Sequence, residues 1–426
     1  MPLKCLLVNP WIADFAAYNF WVRPLGLYKV AQWLEARGAK FHLIDCLSPF
    51  RAPGKFRRQV VPFPLTKELK LDRSFARYGI SVDQFRQRLK SAGKFDAVLV
   101  TSVMSYWYPG IQWVIEEIRD VFPGVPIILG GIYATLWPEH ASRVLKPDFL
   151  CKGPVQSYSK ELADFLGLAP EPSSREKAWY QLPGLFDQAD YWAIRTANGC
   201  PFACSYCASR IVSGQFAPRQ PEDLVKEIVF LHSRGVKQIA FYDDALLVDF
   251  DNRLRPILEA LLNRDISMVF HTPNGLHARF IHKEVARLLA QSNFQSIRLS
   301  LETTNPARQA STGGKVTNTD LEKAVNNLLA AGVSRSSIGV YLLVGLPEQD
   351  LDEIEEGVRY VKSLGIRPYL AEFSPIPGTA EWKDLEKKGV VSMDMDPLLT
   401  NNTLFFRLFS GYDMERYQAL KRLAAS

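Results

Sequence analysis

Two patterns of apolar and polar positions recur along this chain: short apolar runs, and longer stretches with an apolar residue every three or four positions. Lys4-Cys5-Leu6-Leu7-Val8 is an apolar run that stops at Asn9-Pro10, which predicts a first strand. Pro24-Leu25-Gly26-Leu27 opens a helix to about Arg37, with Leu27, Val30, Ala31 and Leu34 at helical spacing and Gly38 as its stop. Phe41 to Ile44 is the next strand, closed by Asp45, and Phe95 to Val100 is a buried strand running into Thr101-Ser102. A helix over about Pro109 to Val121 and a strand over Val125 to Leu129, ending at Gly130-Gly131, complete the series. This alternation predicts an α/β, Rossmann-like, doubly wound parallel sheet over residues 1–167. Ligands of such sheets sit beyond the carboxyl ends of the strands. Asn9-Pro10, Thr101, Ser102, Gly130 and Gly131 are therefore expected along one crevice.

Residues 168–190 are rich in Pro, Ser and charge and read as an interdomain linker. From Tyr191 the pattern becomes repeated strand–helix units. Ile194 to Thr196 leads into a cysteine-rich loop, Pro221 to Ser233 is a helix, and Gln238 to Tyr242 is a strand. Further strands are expected at Ser267–His271, Ser296–Leu301, Ser337–Leu343 and Pro368–Phe373, with helices near 252–263, 283–291, 319–331 and 350–363. Six strands with intervening helices predict a partial (β/α)6 TIM-type barrel over 191–385, with its chemistry at the carboxyl ends of the strands. Residues 386–426 read as a short helical C-terminal extension, and no sequence repeat is visible.

At 426 residues and 47% hydrophobic, the chain is too long for one core and too apolar for disorder. No run of 18 apolar residues exists and the first apolar run is too short for a signal peptide, so a cytoplasmic protein without a membrane span is expected. Net charge is +6, unevenly placed: residues 51–94 hold twelve Lys and Arg against three Asp and Glu. That segment reads as a solvated, partly irregular insertion, or as a surface for an anionic partner. Aromatic residues are not enriched there and no nucleic-acid motif is present, so nucleic acid is not an expected partner.

Three of the six cysteines fall within eight residues, Cys200, Cys204 and Cys207, spaced C-x3-C-x2-C. A loop this short can turn its thiolates toward one point, and thiolates suit iron–sulfur clusters, copper(I) or zinc. A structural zinc site wants four protein ligands, yet the next His is His232. Three ligands on a cluster leave one metal corner open for a small molecule.

This pattern, with Tyr206 before the last cysteine, resembles the radical S-adenosylmethionine (SAM) superfamily. The resemblance implies a [4Fe–4S] cluster on Cys200, Cys204 and Cys207, with SAM chelated at the open iron and reductively cleaved to a 5′-deoxyadenosyl radical. Residues 1–167 further resemble the cobalamin-binding domain in front of many such enzymes, through Pro24-Leu25-Gly26-Leu27, Thr101-Ser102-Val103-Met104 and Gly130-Gly131-Ile132-Tyr133-Ala134. Two departures stand out: no Asp-x-His-x-x-Gly supplies a lower histidine to cobalt, and Lys152-Gly153-Pro154-Val155 replaces the usual acidic stretch after the last strand.

Further motifs fall at the expected strand ends. Asp243-Asp244, which matches an Asp-Asp of the cobalamin-type relatives, would receive the SAM ammonium. Arg298, Ser300 and Glu302 alternate along one strand and so share a face, suited to the carboxylate and ribose of SAM. Gly345 allows close backbone approach to an adenine ring. Pro375-Ile376-Pro377-Gly378-Thr379 matches a "Pro-x-Pro-Gly-Thr" of the family, and Thr272 to His277 would be a loop beside the substrate. His271 and His277 are candidate acid–base groups for which a hydrogen-bonded structural role is the preferred reading, and Gly313-Gly314-Lys315 reads as a turn with a solvated lysine.

The expected protein is thus a radical SAM enzyme, a cobalamin-dependent methyltransferase acting on an unactivated carbon. The alternative is a radical SAM enzyme of another reaction type (ring formation, rearrangement or oxidation) with a vestigial front domain. A methylthiotransferase is disfavoured by the short helical tail, and a non-catalytic scaffold by the set of strand-end motifs. Expected partners are a small-molecule or peptide substrate and an electron donor such as ferredoxin or flavodoxin.

Overall fold

The structure, a computed structural model, describes residues 2–48, 54–65, 73–187 and 189–426. It divides into two compact units, Met1–Ala189 with Met393–Leu399, and Asp190–Ser392 with Thr400–Ser426.

The first unit is built on a five-stranded parallel sheet: β1 (Lys4–Asn9), β2 (Lys40–Asp45), β3 (Ala97–Val100), β4 (Ile127–Leu129) and β5 (Phe149–Leu150), in the order β5-β4-β3-β1-β2. Cys5 through Asn9 of the interior strand β1 are all buried, as a parallel strand covered on both faces requires. One cover is α1 (Leu25–Glu35), which buries Leu27, Tyr28, Ala31 and Leu34 at helical spacing. Two further helices are α2 (Val82–Ala92) and α3 (Tyr108–Val121); α3 buries Ile111, Val114, Ile115 and Ile118. The strand order reverses direction between β1 and β3, which is where a ligand crevice opens in such sheets. Asn9-Pro10 and Thr101-Ser102 flank that point.

Where it is described, the basic segment mixes irregular, largely exposed chain with ordered elements: Arg58–Val60, Ala76–Tyr78 and Ile12–Asp14 form a small antiparallel sheet, and α2 opens on a reciprocal Ser81–Gln84 capping box. Phe75, Ala76, Tyr78, Phe85 and Leu89 point inward while Arg58, Arg86 and Lys90 stay exposed; strands of three residues are too short to show a period. Residues 51–53 and 66–72 of that segment lie outside the described residues. Of the stretch read as a linker, residues 168–187 group with the first unit and are fastened along α1. Arg37 Nη2 donates to Pro170 O (2.7 Å), Ser173 Oγ to Ala36 O (3.0 Å) and Gln32 Nε2 to Lys177 O (2.7 Å). Asp187 accepts a bidentate pair from the buried Arg23 at 2.7 and 2.9 Å.

The second unit is a six-stranded, wholly parallel sheet in sequential order: β6 (Tyr191–Ile194), β7 (Gln238–Phe241), β8 (Val269–His277), β9 (Phe294–Glu302), β10 (Ile338–Val344) and β11 (Arg367–Glu372). The helices between and after these strands include α4 (Pro221–Ser233), α5 (Leu254–Leu262), α6 (Lys283–Gln291), α7 (Asn318–Ala330), α8 (Leu351–Ser363) and α9 (Ala380–Lys387). Two C-terminal helices follow, α10 (Asn402–Phe409) and α11 (Met414–Ala425). They bury Phe406, Tyr417 and Leu420 against Val344, Leu351 and Ile354, each fully buried apolar side chain being worth about 1.5–3 kcal/mol. β8 differs from expectation: it continues through His277, with Pro273, Asn274 and Gly275 inserted between the positions that pair with Ile297 and Leu299 of β9. A bulge of this kind re-aims side chains and hides the strand's period in the sequence. Among the described residues no helix is long and apolar enough to cross a membrane.

Candidate functional site

The cysteine loop leaves the carboxyl end of β6, and its first residues are held by Asp243 at the end of β7. Thr196 N donates to both carboxylate oxygens (3.0 and 2.9 Å), Thr196 Oγ1 donates at 2.6 Å and Ala197 N at 2.8 Å. Arg253 Nη2 approaches the same carboxylate at 3.3 Å, with both side chains almost wholly buried. The loop's middle is braced elsewhere. Ser205 Oγ donates to Glu381 Oε1 (2.8 Å), Ser205 O accepts from Glu381 N (3.0 Å), and Ser205 N donates to Thr312 O (3.3 Å). Glu381 lies in the first turn of α9, whose N-cap Thr379 accepts from Trp382 N at 3.2 Å. The strand-end motif 375–379 thus ends in a helix cap that supports the loop.

Within this frame Cys207 N donates to Cys204 O (3.1 Å), closing a tight turn. Cys200 is buried, Cys204 partly buried and Cys207 exposed. Burial pushes the Cys200 and Cys204 thiols up, and Lys315 opposes that at Cys204. Metal binding would have to displace those protons, which a coordinating ion does outright. Among the described residues no three His, Cys, Asp or Glu side chains converge on a single ion. A cluster with one iron per thiolate asks for wider spacing than a mononuclear ion does.

The largest surprise is Lys315. Its side chain is only 12% exposed and forms an ion pair with Glu302, itself 10% exposed. Its ammonium lies 5.7 Å from the centre of the Tyr206 ring. The preceding Gly313 lies so close to the cysteine loop that a Cβ there would sit 3.2 Å from Cys204 Cα. The expected solvated lysine is therefore a buried one; a Gly-Gly pair before it was the available signal, since two glycines permit such an approach. Glu302 ends β9 at φ +75°, a left-handed conformation uncommon for a residue with a side chain. Tyr206 Oη is buried beside this pair, and burial, then the neighbouring Glu302 carboxylate, raises its pKa.

The other strand-end residues occupy varied places. Asp244 is half-buried; burial raises its pKa while Arg195 and Ser209 pull it down. Arg298 and Ser300 do not join Glu302 at the strand end. The Arg298 guanidinium lies on the Tyr369 ring (4.5 Å to its centre), and Ser300 is buried against the β8 bulge, where a Cβ on Gly275 would come within 2.7 Å of its Oγ. Gly345 has φ +90°, its N–H donates to Gln349 Oε1 (3.0 Å), and Phe406 of α10 fills the space a side chain would take. Its freedom serves a turn packed on a helix. His271 Nε2 meets Gln238 Oε1 at 3.2 Å, and His277 stacks edge-on with Phe202 of the cysteine loop (4.7 Å). Burial, with Lys315 and Arg279 nearby, lowers the His277 pKa to about 3, so its imidazole is neutral at pH 7.

In the first unit, Thr101, Ser102, Gly130 and Gly131 stand at the carboxyl ends of β3 and β4. Ser102 Oγ donates to Gly130 O (2.7 Å) and accepts from Tyr133 N (3.1 Å). Gly131 has φ +95°, and a Cβ there would lie 2.2 Å from Ser102 O. Val103, Met104, Tyr18 and Phe20 on the loops after β3 and β1 are exposed, displaying apolar surface on those connections. The unit's two histidines are engaged: His140 Nδ1 meets Tyr133 Oη at 2.6 Å, and His42 stacks with Phe95.

Residues 194–361 match the model of the radical SAM superfamily. Residues 194–361 are a radical SAM domain. As a radical SAM enzyme it works with a [4Fe–4S] cluster and SAM, and it needs a substrate and an electron donor. An uncharacterized methyltransferase of Pyrococcus horikoshii is 22% identical over 324 residues, which is 68% of this chain and 69% of that one. A ribosomal protein uS12 methylthiotransferase of Thermosipho melanesiensis is 24% identical over 48% of this chain; the match spans only 49% of that protein's length. In fold, the chain is similar to the radical SAM methyltransferase TsrM of Kitasatospora setae, solved with tryptophan and a SAM analogue. The TM-score is 0.70 at 15% identity, covering 90% of this chain and 76% of that one. A second TsrM structure, with cobalamin and a [4Fe–4S] cluster bound, gives 0.69.

Residues that the sequence did not mark are Thr196, Arg253 and Glu381. Each contributes by a contact across 47 or more positions, and an isolated Arg, Thr or Glu carries no spacing signal.

Proposed function

We propose that this radical SAM enzyme is a cobalamin-dependent methyltransferase acting on an unactivated carbon. The observation that supports it most is a likeness of fold spanning both units: the switch-point sheet and the cysteine-loop barrel together match TsrM over 90% of the chain. Cys200, Cys204 and Cys207 would hold the cluster, and its open iron would take the amino and carboxylate groups of SAM. Their graded burial and the braced loop fit that task. Asp243 acts by positioning the loop's first residues, while Asp244 and Glu302 are the acidic groups left to meet a cation. The Phe202–His277–Phe280 ring contacts form an aromatic wall beside the loop.

The carboxyl ends of β3 and β4 would receive cobalamin. Exposed Val103 and Met104 suit a large, partly apolar ring, and the backbone of Gly130 and Gly131 lets it approach closely. His42 and His140 are both engaged, so cobalt is expected without a histidine ligand. When bound, cluster and SAM supply one-electron hydrogen abstraction and cobalamin supplies a transferable methyl group. The chain's own residues bind, orient and exclude water.

The test is an anaerobic optical spectrum of reconstituted protein with and without hydroxocobalamin. Retention of cobalamin near one per chain after gel filtration is expected. An active protein that binds none at micromolar concentration would overturn the reading in favour of another radical SAM reaction with a cofactor-free front sheet.

A further inference from the structure

We propose that Arg298, half-way along β9, is the anion anchor of the barrel lumen and takes a carboxylate of the substrate. This deepens the methyltransferase reading, on which it rests, by naming the substrate class as an organic acid. Ile297 and Leu299 on either side of Arg298 are fully buried on the opposite face of the sheet, so Arg298 faces the lumen. It lies four positions, about 13 Å of extended strand, below Glu302, and the ladder breaks between Ser300 and Glu302. It therefore stands apart from the strand ends. Tyr341 of β10 and Tyr369 of β11 lie beside it, and all three residues are half-buried. The guanidinium lies 4.5 Å from the centre of the Tyr369 ring, and it opposes the rise in pKa that burial gives the Tyr341 phenol. Tyr341 Oη donates to Pro273 O in the β8 bulge (2.9 Å), which fixes that ring. Two glycines leave the space these side chains use. A Cβ on Gly339 would lie 2.4 Å from the Tyr369 ring and 3.3 Å from Arg298 Cδ, and one on Gly275 would lie 3.3 Å from the Tyr341 ring.

What surrounds Arg298 supplies no counter-charge. Among the described residues no carboxylate makes an ion pair with it. Its neighbours are two phenols and His271, whose imidazole, held at about 4 by burial and then by Arg298, is neutral at pH 7. The contact with Tyr369 orients the guanidinium but leaves its charge unbalanced. A guanidinium partly withdrawn from water without an anion is costly, and an arriving carboxylate offsets that cost with a charge-assisted, two-point hydrogen bond. A carboxylate matches this single cation in charge, whereas a phosphate dianion would leave one charge uncompensated. An acid held there by its carboxylate extends up the lumen toward the strand ends, where the cysteine loop leaves β6.

The test titrates 3-phenylpropionate, which joins a carboxylate to a ring suited to the tyrosine walls, against its amide, 3-phenylpropanamide. Isothermal calorimetry on anaerobically reconstituted wild type, R298M and R298K needs no turnover. Wild type should prefer the acid, and the preference should fall about tenfold or more in R298M while R298K keeps part of it. SAM binding and iron content should be unchanged in R298M, since the residue stands apart from the strand ends. An acid preference that survives R298M, or a loss in R298M of SAM rather than of the acid, would overturn the inference. So would wild type that binds acid and amide alike, or inorganic phosphate that displaces the acid at equal concentration. R298Q carries the same outcomes if R298M does not fold. Cobalamin retention on the same preparations separates the two readings: wild type that prefers the acid yet retains no cobalamin would keep the carboxylate site and overturn the methyltransferase reading alone.

Discussion

Replacing Asp243 with Ala separates two accounts of this residue. If Asp243 met the SAM ammonium, its loss would weaken SAM and spare the fold. The structure instead makes it the knot between β7 and the start of the cysteine loop. Asp243→Ala removes the acceptor of two backbone N–H groups and one hydroxyl and leaves Arg253, 3% exposed, without its carboxylate. Breaking a buried ion pair on one side costs about 3–5 kcal/mol. At roughly 2–4 °C per kcal/mol for a unit of this size, the melting transition should fall by about 6–20 °C. The assay is thermal and urea unfolding of cluster-free protein, where SAM and iron play no part. Asp244→Ala, half-buried and without such a network, should cost under about 1 kcal/mol. A cluster-free Asp243→Ala protein that melts with wild type, yet loses SAM binding once reconstituted, would refute the positioning argument.

Three further outcomes are expected. Replacing Cys200, Cys204 and Cys207 with Ala should abolish the iron content and visible absorbance of reconstituted protein, whereas Cys5→Ala, Cys46→Ala and Cys151→Ala should keep four irons per chain, about the number in one cluster. Gly131→Ala should destabilise the first unit by about 1–3 kcal/mol in urea unfolding, because the new Cβ meets a backbone oxygen at a positive φ. Burial, then Arg298, lowers the His271 pKa to about 4. A folded-state pKa below the unfolded one means stability that is complete above pH 6.5 and is lost as pH falls toward 4. The loss attributable to this imidazole is about 1.4 kcal/mol per pH unit, and His271→Leu should flatten that part of the urea-midpoint profile.

Most of the frame was legible because strands and helices announce themselves by local period. Pro221–Ser233 and Lys283–Gln291 are helices at the expected residues, and the six barrel strands fall within a few positions of expectation, apart from the carboxyl end of β8. The β8 extension was not legible, since Pro273, Asn274 and Gly275 read as a turn and only the pairing of Leu276 with Leu299 makes them a bulge. The cysteine triplet was legible because metal chemistry fixes ligand type and spacing together.

What the sequence by itself determined is the alternation of elements, the cysteine loop and the order of motifs at strand ends. These are properties of neighbours along the chain, where spacing is geometry. Tertiary structure decided which motif residues face one another. Asp243 and Asp244 are adjacent in sequence, but one is saturated by Thr196, Ala197 and Arg253 while the other is half-exposed. Alternation along the strand puts Arg298 and Glu302 on one expected face, yet one lies on Tyr369 and the other, past a break in the ladder, pairs with Lys315, thirteen positions on. Charge and hydrogen-bond partners act over a few ångströms of space, and chain folding alone brings Lys315 and Glu302 within that distance beside the cysteine loop.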